Sequence, residues 1–415
     1  MTQIHDFKQS IQYDVAIIGA GPAGAVAAKF LRNRGVSVVI LEGANFPRFS
    51  IGESLLPNCL NILEHAGLLH PVVEAGFQFK DGAAFERNGE RRDIDFRNKY
   101  DAGWGTAYQV QRATFDKLLA DCAEKSGAEI HYGRRVIGAD LDKGNCRLTH
   151  VGPEGDEDIT TSRFVLDASG FGRVLSRLLN LETPSDLPSR SVLFTHLKDR
   201  ISDQDFNRDK ILITVHPEQK DVWYWTIPFS DGTASVGVVF MNDDTQSEAR
   251  SDTEVFWAYL RETPLGSLLE NADLTRPVGK IQGYSCNVST LHGPGFALLG
   301  NAAEFLDPVF SSGVTIALKS AELAAPLVVE ELKGKSVEWQ NKFADPLKRG
   351  VDVFRIFVES WYNGDLQDIV LKHPDEDTDL ARMMVSILSG YAWSEDSLLV
   401  QNPKRILRVL KKMCA

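Results

Sequence analysis

Apolar residues first gather in a short continuous run, Tyr13 to Ile18, that stops at a glycine cluster and predicts a buried strand. An alanine-rich stretch to about Arg34 follows with helical spacing, and a second apolar run, Val36 to Leu41, closes on Glu42. Strand, glycine turn, helix and strand in this order predict a βαβ unit. Residues 128–166 alternate apolar and polar positions around GRRVIGADLD, CRLTHVG and EDITTSRFVL, the period of a short antiparallel meander. Residues 220–240 contain DVWYWTIPFSDGTASVGVVF, two strands turning at Ser230-Asp231-Gly232. On the first of them Trp223, Trp225 and Ile227 share one face and Tyr224 and Thr226 the other. Large aromatics on a half-buried strand read first as core. The charged stretch Arg87 to Lys99 reads as a solvated hairpin, or as a lid over a pocket. From residue 331 helical spacing dominates; its aromatic segment Val353 to Leu366 reads as core packing or as a pocket wall.

Composition narrows the setting. A chain of 415 residues, 43% apolar and 25% charged, is long enough for two interleaved domains and a tail. A net charge of −12 disfavours nucleic acid and anionic membrane as partners, because a phosphate surface would be repelled. The five cysteines are scattered and never form CxxC, so neither a disulfide frame nor a thiolate metal site is indicated, and a reducing cytoplasm is expected. The nine histidines show no paired ligand spacing, so no metal is expected. No apolar run is read as approaching the ~20 residues of a membrane span, and the polar start MTQIHDFKQS has no signal-peptide core.

The glycine cluster is GAGPAG, a GxGxxG between strand and helix with an acidic residue at the next strand tip, which is the context of a dinucleotide fingerprint. Gly19 allows the tight turn, Gly21 lets backbone approach a pyrophosphate, and Gly24 lets helix pack on strand. The helix N-terminus faces the phosphates and Glu42 accepts from ribose hydroxyls. PRFSIGESLLP (Pro47 to Pro57), QVQRATFDKLL (Gln109 to Leu119), FVLDASG (Phe164 to Gly170) and GPGFALLGNAAEFLDP resemble segments of the flavoprotein monooxygenase superfamily. The resemblance implies FAD, contacted by Ala23, Arg48, Ile51, Arg112, Asn301 and Val314, with Val136 near the adenine. By residue type alone either arginine would be a surface charge. Gly300-Asn301-Ala302 stands where the family usually has GDA, so the contact keeps an amide and loses a charge.

Two further motifs narrow the resemblance. WYWTIP fits the WxWxIP signature of flavin-dependent halogenases, and FLDPVFSSG (Phe305 to Gly313) fits FxxPxxSxG, seen in halogenases of phenols and pyrroles. The implied fold class is α/β: a Rossmann-like FAD-binding domain of the glutathione reductase/p-hydroxybenzoate hydroxylase type, interleaved with an antiparallel-sheet substrate domain and followed by a helical tail. The FAD-binding part is placed at 1–75, 105–180 and 280–330, the substrate part at 76–104 and 181–279, and the tail at 331–415. The implied reaction uses FADH2 and O2 to oxidise chloride or bromide to a hypohalous species and halogenates a small electron-rich aromatic, free or carrier-protein-tethered. By the resemblance Ser312 and Gly313 hold halide, Trp223, Trp225, Phe305 and Pro308 flank the path from flavin to substrate, and Lys80 delivers the halogen. Lys80 has apolar flanks in Phe77, Phe79 and Phe85, so burial is expected to lower its pKa; a lysine snorkelling from a strand edge is the plainer reading. Phe310 stands where tryptophan halogenases carry a glutamate, which favours a phenol or pyrrole. No second strand-GxGxxG-helix unit appears, compatible with a separate flavin reductase supplying FADH2. A hydroxylase, reductase or dehydrogenase of the same fold is the alternative.

Overall fold

In the computed structural model, which describes residues 12–202, 206–241, 250–372 and 378–414, the first two apolar runs form β1 (Tyr13–Ile18) and β2 (Val38–Glu42), joined by α1 (Pro22–Arg32). The polar stretch Met1 to Ser10 lies outside the described residues. β2 is buried along its whole length, as a strand covered on both faces must be, which is why it reads as an uninterrupted apolar run. Pro22 opens α1, where its missing N–H costs no helical bond. There follow α2 (Pro57–Ala66), β3 (Gln78–Lys80), β4 (Gly82–Arg87), β5 (Glu90–Asp95), β6 (Ala107–Gln109) and α3 (Arg112–Lys125). Next come β7 (Glu129–Tyr132), β8 (Arg135–Asp142), β9 (Asn145–Val151) and β10 (Glu157–Asp167). The later elements that shape the site are β11 (Arg190–Lys198), β12 (Lys210–Val215), β13 (Trp223–Pro228), β14 (Thr233–Met241), β15 (Phe296–Leu298), α4 (Ser312–Leu332) and α5 (Asp345–Tyr362).

Two large sheets organise these elements. The first has a parallel core in the order β15-β10-β1-β2-β7, with β8 and β9 folded antiparallel onto the long β10. The second runs β11-β14-β13-β12-β4-β5. Its pairs are antiparallel except β4 with β12, which are parallel because the β4–β5 hairpin joins from a distant part of the chain. β13 and β14 turn at Ser230-Asp231-Gly232, with Gly232 at φ +78°.

α1 packs between α3 and α4 beneath the first sheet. α4 corrects one expectation: its 21 residues are long and apolar enough to cross a membrane by length and composition. Ser320, Lys319 and Glu322 interrupt the run in the sequence, and most of the helix is buried in the protein core. The aromatic segment of the tail packs as core. Trp361 of α5 lies edge-on to Phe310 and tilted against Phe85 of β4, and Phe357 is edge-on to the same Phe310.

Candidate active site

The fingerprint turn forms one end of a cavity of about 850 Å³, lined there by Gly19, Gly21, Ala23, Glu42, Arg48, Ile51, Arg112 and Val136. Gly19 adopts φ +95°, and a Cβ on it would lie 2.7 Å from the Ala168 carbonyl oxygen. Gly24 does not line the cavity: a Cβ there would lie 1.9 Å from the Gly19 oxygen, so this glycine serves the close approach of helix to turn. Glu42 accepts from the Ala20 N–H at 2.7 Å and the Ala44 N–H at 2.9 Å, leaving each oxygen a second lone pair for a hydroxyl. α1 has no side-chain cap and no acid in its first turn, so its leading amides are open to a pyrophosphate.

Both predicted arginines are anchored by a residue that the sequence reading did not single out. Asp116, fully buried on α3, receives Arg112 Nε at 2.7 Å and Nη2 at 2.9 Å, and lies 3.4 Å from Arg48 Nη1. The i,i+4 spacing of Arg112 and Asp116 was the available signal. Arg48 also lies over the Phe46 ring, 4.8 Å from its centroid. Open amides, a carboxylate, glycines without side chains and oriented guanidinium groups suit a flavin dinucleotide.

The middle of the cavity is the mouth of α4. Asn301, Phe305, Pro308, Ser311, Gly313 and Val314 line it. Ser311 is the residue before the helix and is held at φ +54°, a region that non-glycine residues seldom occupy. No side chain caps the helix, so its first N–H groups lack that partner. Ser312 is buried and does not line the cavity; Ser311, which sequence reasoning passed over, does. A Cβ on Gly313 would come within 3.2 Å of the Phe305 ring.

The far wall is the second sheet. Trp223, Trp225 and Ile227 of β13 face the cavity beside Ile211 and Ile213 of β12, while Tyr224 packs on the opposite face. The two indoles lie 5.9 Å apart by ring centroid. Trp225 crosses its β14 partner Gly237, where a Cβ would sit 2.3 Å from the ring, and donates from Nε1 to Ser235 Oγ at 3.1 Å. Trp223 Nε1 donates to the Tyr362 hydroxyl at 2.9 Å. Tyr362 donates to Asp307 Oδ2 at 2.8 Å, Tyr284 donates to the same oxygen at 3.0 Å, and the Val309 N–H donates to Oδ1 at 3.0 Å. Burial pushes the Asp307 carboxyl up to about 6, against the pull of these donors and of Arg190. The partners of Asp307 and Tyr362 lie in elements far apart in sequence, so no local pattern announces this network.

Lys80 does not line the cavity. β3 pairs with β6, Lys80 opposite Ala107, and Ser54 bridges to Gln109, so the ladder brings the lysine onto the 54–55 backbone. Its Nζ donates to Ser54 Oγ at 2.8 Å and to the Leu55 carbonyl at 2.9 Å, and lies 5.2 Å from the Phe96 ring centroid. Ser54 does line the cavity, so the amine stands one hydroxyl behind the wall. The side chain is 1% exposed, and burial lowers its pKa to about 7, slightly offset by Cys59. Of its predicted apolar flanks Phe85 is buried and Phe77 meets Phe115 edge-on, but Phe79 is 40% exposed, since alternate residues of a strand face opposite ways. Glu53, which also lines the cavity, pairs with His196 Nε2 at 2.6 Å and was not foreseen. No residue of the charged hairpin 87–99 lines the cavity; Arg87 instead turns inward to pair with Asp368. Among the described residues no group of three or more His, Cys, Asp or Glu could hold a metal ion.

Comparison with known proteins agrees with this architecture. Residues 12–340 match the family model described as FAD binding domain. The 1H-pyrrole-2-carbonyl-[peptidyl-carrier protein] chlorinase of Pseudomonas fluorescens is 28% identical over 376 residues, covering 84% of this chain and 83% of that one. A flavin-dependent halogenase of Armillaria mellea is 30% identical over 351 residues, covering 78% and 69%. A solved flavoprotein/dehydrogenase from Cytophaga hutchinsonii superposes with a TM-score of 0.92 at 39% identity, covering 97% and 98%. The chain is an FAD-binding oxidoreductase and belongs to the flavin-dependent halogenase family.

Proposed function

We propose that this protein oxidises chloride or bromide and transfers the halogen to an electron-rich aromatic ring, a phenol or a pyrrole. Bound FAD, reduced by a separate flavin reductase, supplies the electrons and activates O2. The rest is the work of the chain. Gly19, Gly21 and Glu42 would hold the adenosine and pyrophosphate end of FAD, and Val136, Arg48, Arg112 and Asn301, which line the same cavity, would contact the rest of the cofactor. The amide at Gly313, which lines the cavity and is backed by the α4 dipole, attracts a halide without a fixed cation that would trap it. Trp223, Trp225, Phe305 and Pro308 keep water from the passage. Lys80, with a substantial neutral fraction near pH 7, either hydrogen-bonds the hypohalous acid or exchanges an N–H hydrogen for halogen with release of water.

The observation that carries this reading is one continuous cavity joining the fingerprint, the α4 mouth and the tryptophan wall, with a buried, weakly basic lysine one hydroxyl behind it. Phe310, packed against Phe357 and Trp361, leaves no carboxylate at its position to assist an unactivated ring. The carrier-bound substrate named for the Pseudomonas fluorescens relative supports a tethered pyrrole as one form of the substrate. Five unpaired cysteines accord with a reducing cytoplasm.

The test supplies FADH2 from an added reductase with bromide and a panel of phenols and pyrroles. A brominated product, recognised by its isotope doublet in mass spectrometry, is expected; oxygen consumption with no brominated product would sink the reading. The solved relative described as a flavoprotein/dehydrogenase favours a second reading, a flavin dehydrogenase or reductase of the same fold that does not halogenate. Rapid reduction by NADPH alone would support that reading instead.

A further inference from the structure

Trp223 is fastened outside its own sheet. Its indole N–H is donated to Tyr362, the last residue of α5, and Tyr362 in turn donates to Asp307, inside the turn that carries Pro308 into the cavity wall. Neither Tyr362 nor Asp307 lines the cavity, yet each touches a residue or turn that does. The Trp223 N–H can only donate, so Tyr362 must accept from it. Asp307 faces three donors, the hydroxyls of Tyr284 and Tyr362 and the Val309 N–H, and its ionised carboxylate accepts from all of them. With its proton committed to Asp307, the Tyr362 oxygen is left as the acceptor for Trp223. Arg190 completes the arrangement with its guanidinium carbon 3.4 Å from the Tyr362 ring centroid.

We propose that Tyr362 is a positioning residue for halogenation: its hydroxyl locks the Trp223 indole to the Asp307 turn, so that the tail helix holds the sheet wall and the α4 mouth at a constant spacing. The inference rests on the halogenase reading for its catalytic consequence and on the hydrogen bonds alone for its structural one. A wall indole free to rotate would open the passage to water and let oxidant escape as peroxide.

Tyr362→Phe removes only the hydroxyl and keeps the ring under Arg190. In the cofactor-free protein the variant should shift tryptophan emission relative to wild type, and the shift should vanish in a Trp223→Phe background. With FADH2, bromide and a phenol, the ratio of brominated product to hydrogen peroxide should fall at least about fivefold, while FAD affinity changes less than about twofold. The two variants should be non-additive in that ratio, because they break one bond. An unchanged emission spectrum, or a product-to-peroxide ratio that stays constant while only thermal stability falls, would overturn the proposal. If wild type makes no brominated product, the halogenase reading fails and the emission comparison still decides whether Tyr362 positions Trp223.

Discussion

At the scale of single residues, Lys80 gives the most direct energetic test. Its amine is buried and its pKa is lowered to about 7 from 10.5 by desolvation. Between those values the folded chain binds fewer protons than the unfolded one, so this group makes stability rise with pH there, and the deficit is complete below about 7. Lys80→Met should therefore be more stable than wild type in urea unfolding at about pH 6, by about 1 kcal/mol or more, with the gap closing towards about pH 10. The loss of donors to Ser54 and Leu55 offsets part of the gain. A difference that does not vary with pH would contradict the desolvated amine. Gly24→Ala sets a Cβ 1.9 Å from the Gly19 oxygen and should cost about 1–3 kcal/mol and weaken FAD binding, read by thermal unfolding and cofactor titration. The fingerprint glycines were legible in sequence because each performs a local backbone task. Asp116, Glu53 and Tyr362 were less so, because their partners come from elsewhere in the fold.

At the scale of elements, the sheet wall and the helix mouth make separate predictions. β14 supplies Gly237 so that the Trp225 indole can lie across it, and Gly237→Ala would place a Cβ 2.3 Å from that ring. The variant should lose about 1–3 kcal/mol of stability and change tryptophan emission, since the indole must leave its place. Unaltered emission would contradict the close crossing of the Trp225 indole over Gly237. Gly313→Val should crowd Phe305 and the first turn of α4, lowering bromide-dependent product formation more than FAD affinity. Parallel loss of both would argue that this turn serves the cofactor alone. Strand periodicity announced which face of β13 carries the tryptophans, because period two is a local property. It could not announce that α4 is buried in the core, nor that Ser311 rather than Ser312 faces the cavity. That choice depends on the left-handed turn before the helix.

At the scale of the whole molecule, the site exists because two sheets and the mouth of α4 converge on one cavity. The parallel sheet contributes the fingerprint, the mixed sheet contributes the tryptophans, and α5 ties the second sheet to the turn before α4 through Tyr362. The FAD fingerprint and the halogenase motifs were readable in the chain, and so was the burial of Lys80 among apolar neighbours. The separation of its amine from the cavity by Ser54 was not, since it arises from the pairing of β3 with β6 and the bridge of Ser54 to Gln109. Catalysis through this lysine therefore requires the Ser54 contact to yield or to transmit. The decisive measurement is brominated phenol formed per O2 consumed, compared between wild type and Lys80→Ala under FADH2 from an added reductase. Wild type should form the product and the variant none, with oxygen consumption retained; equal bromination by both would contradict the role of Lys80.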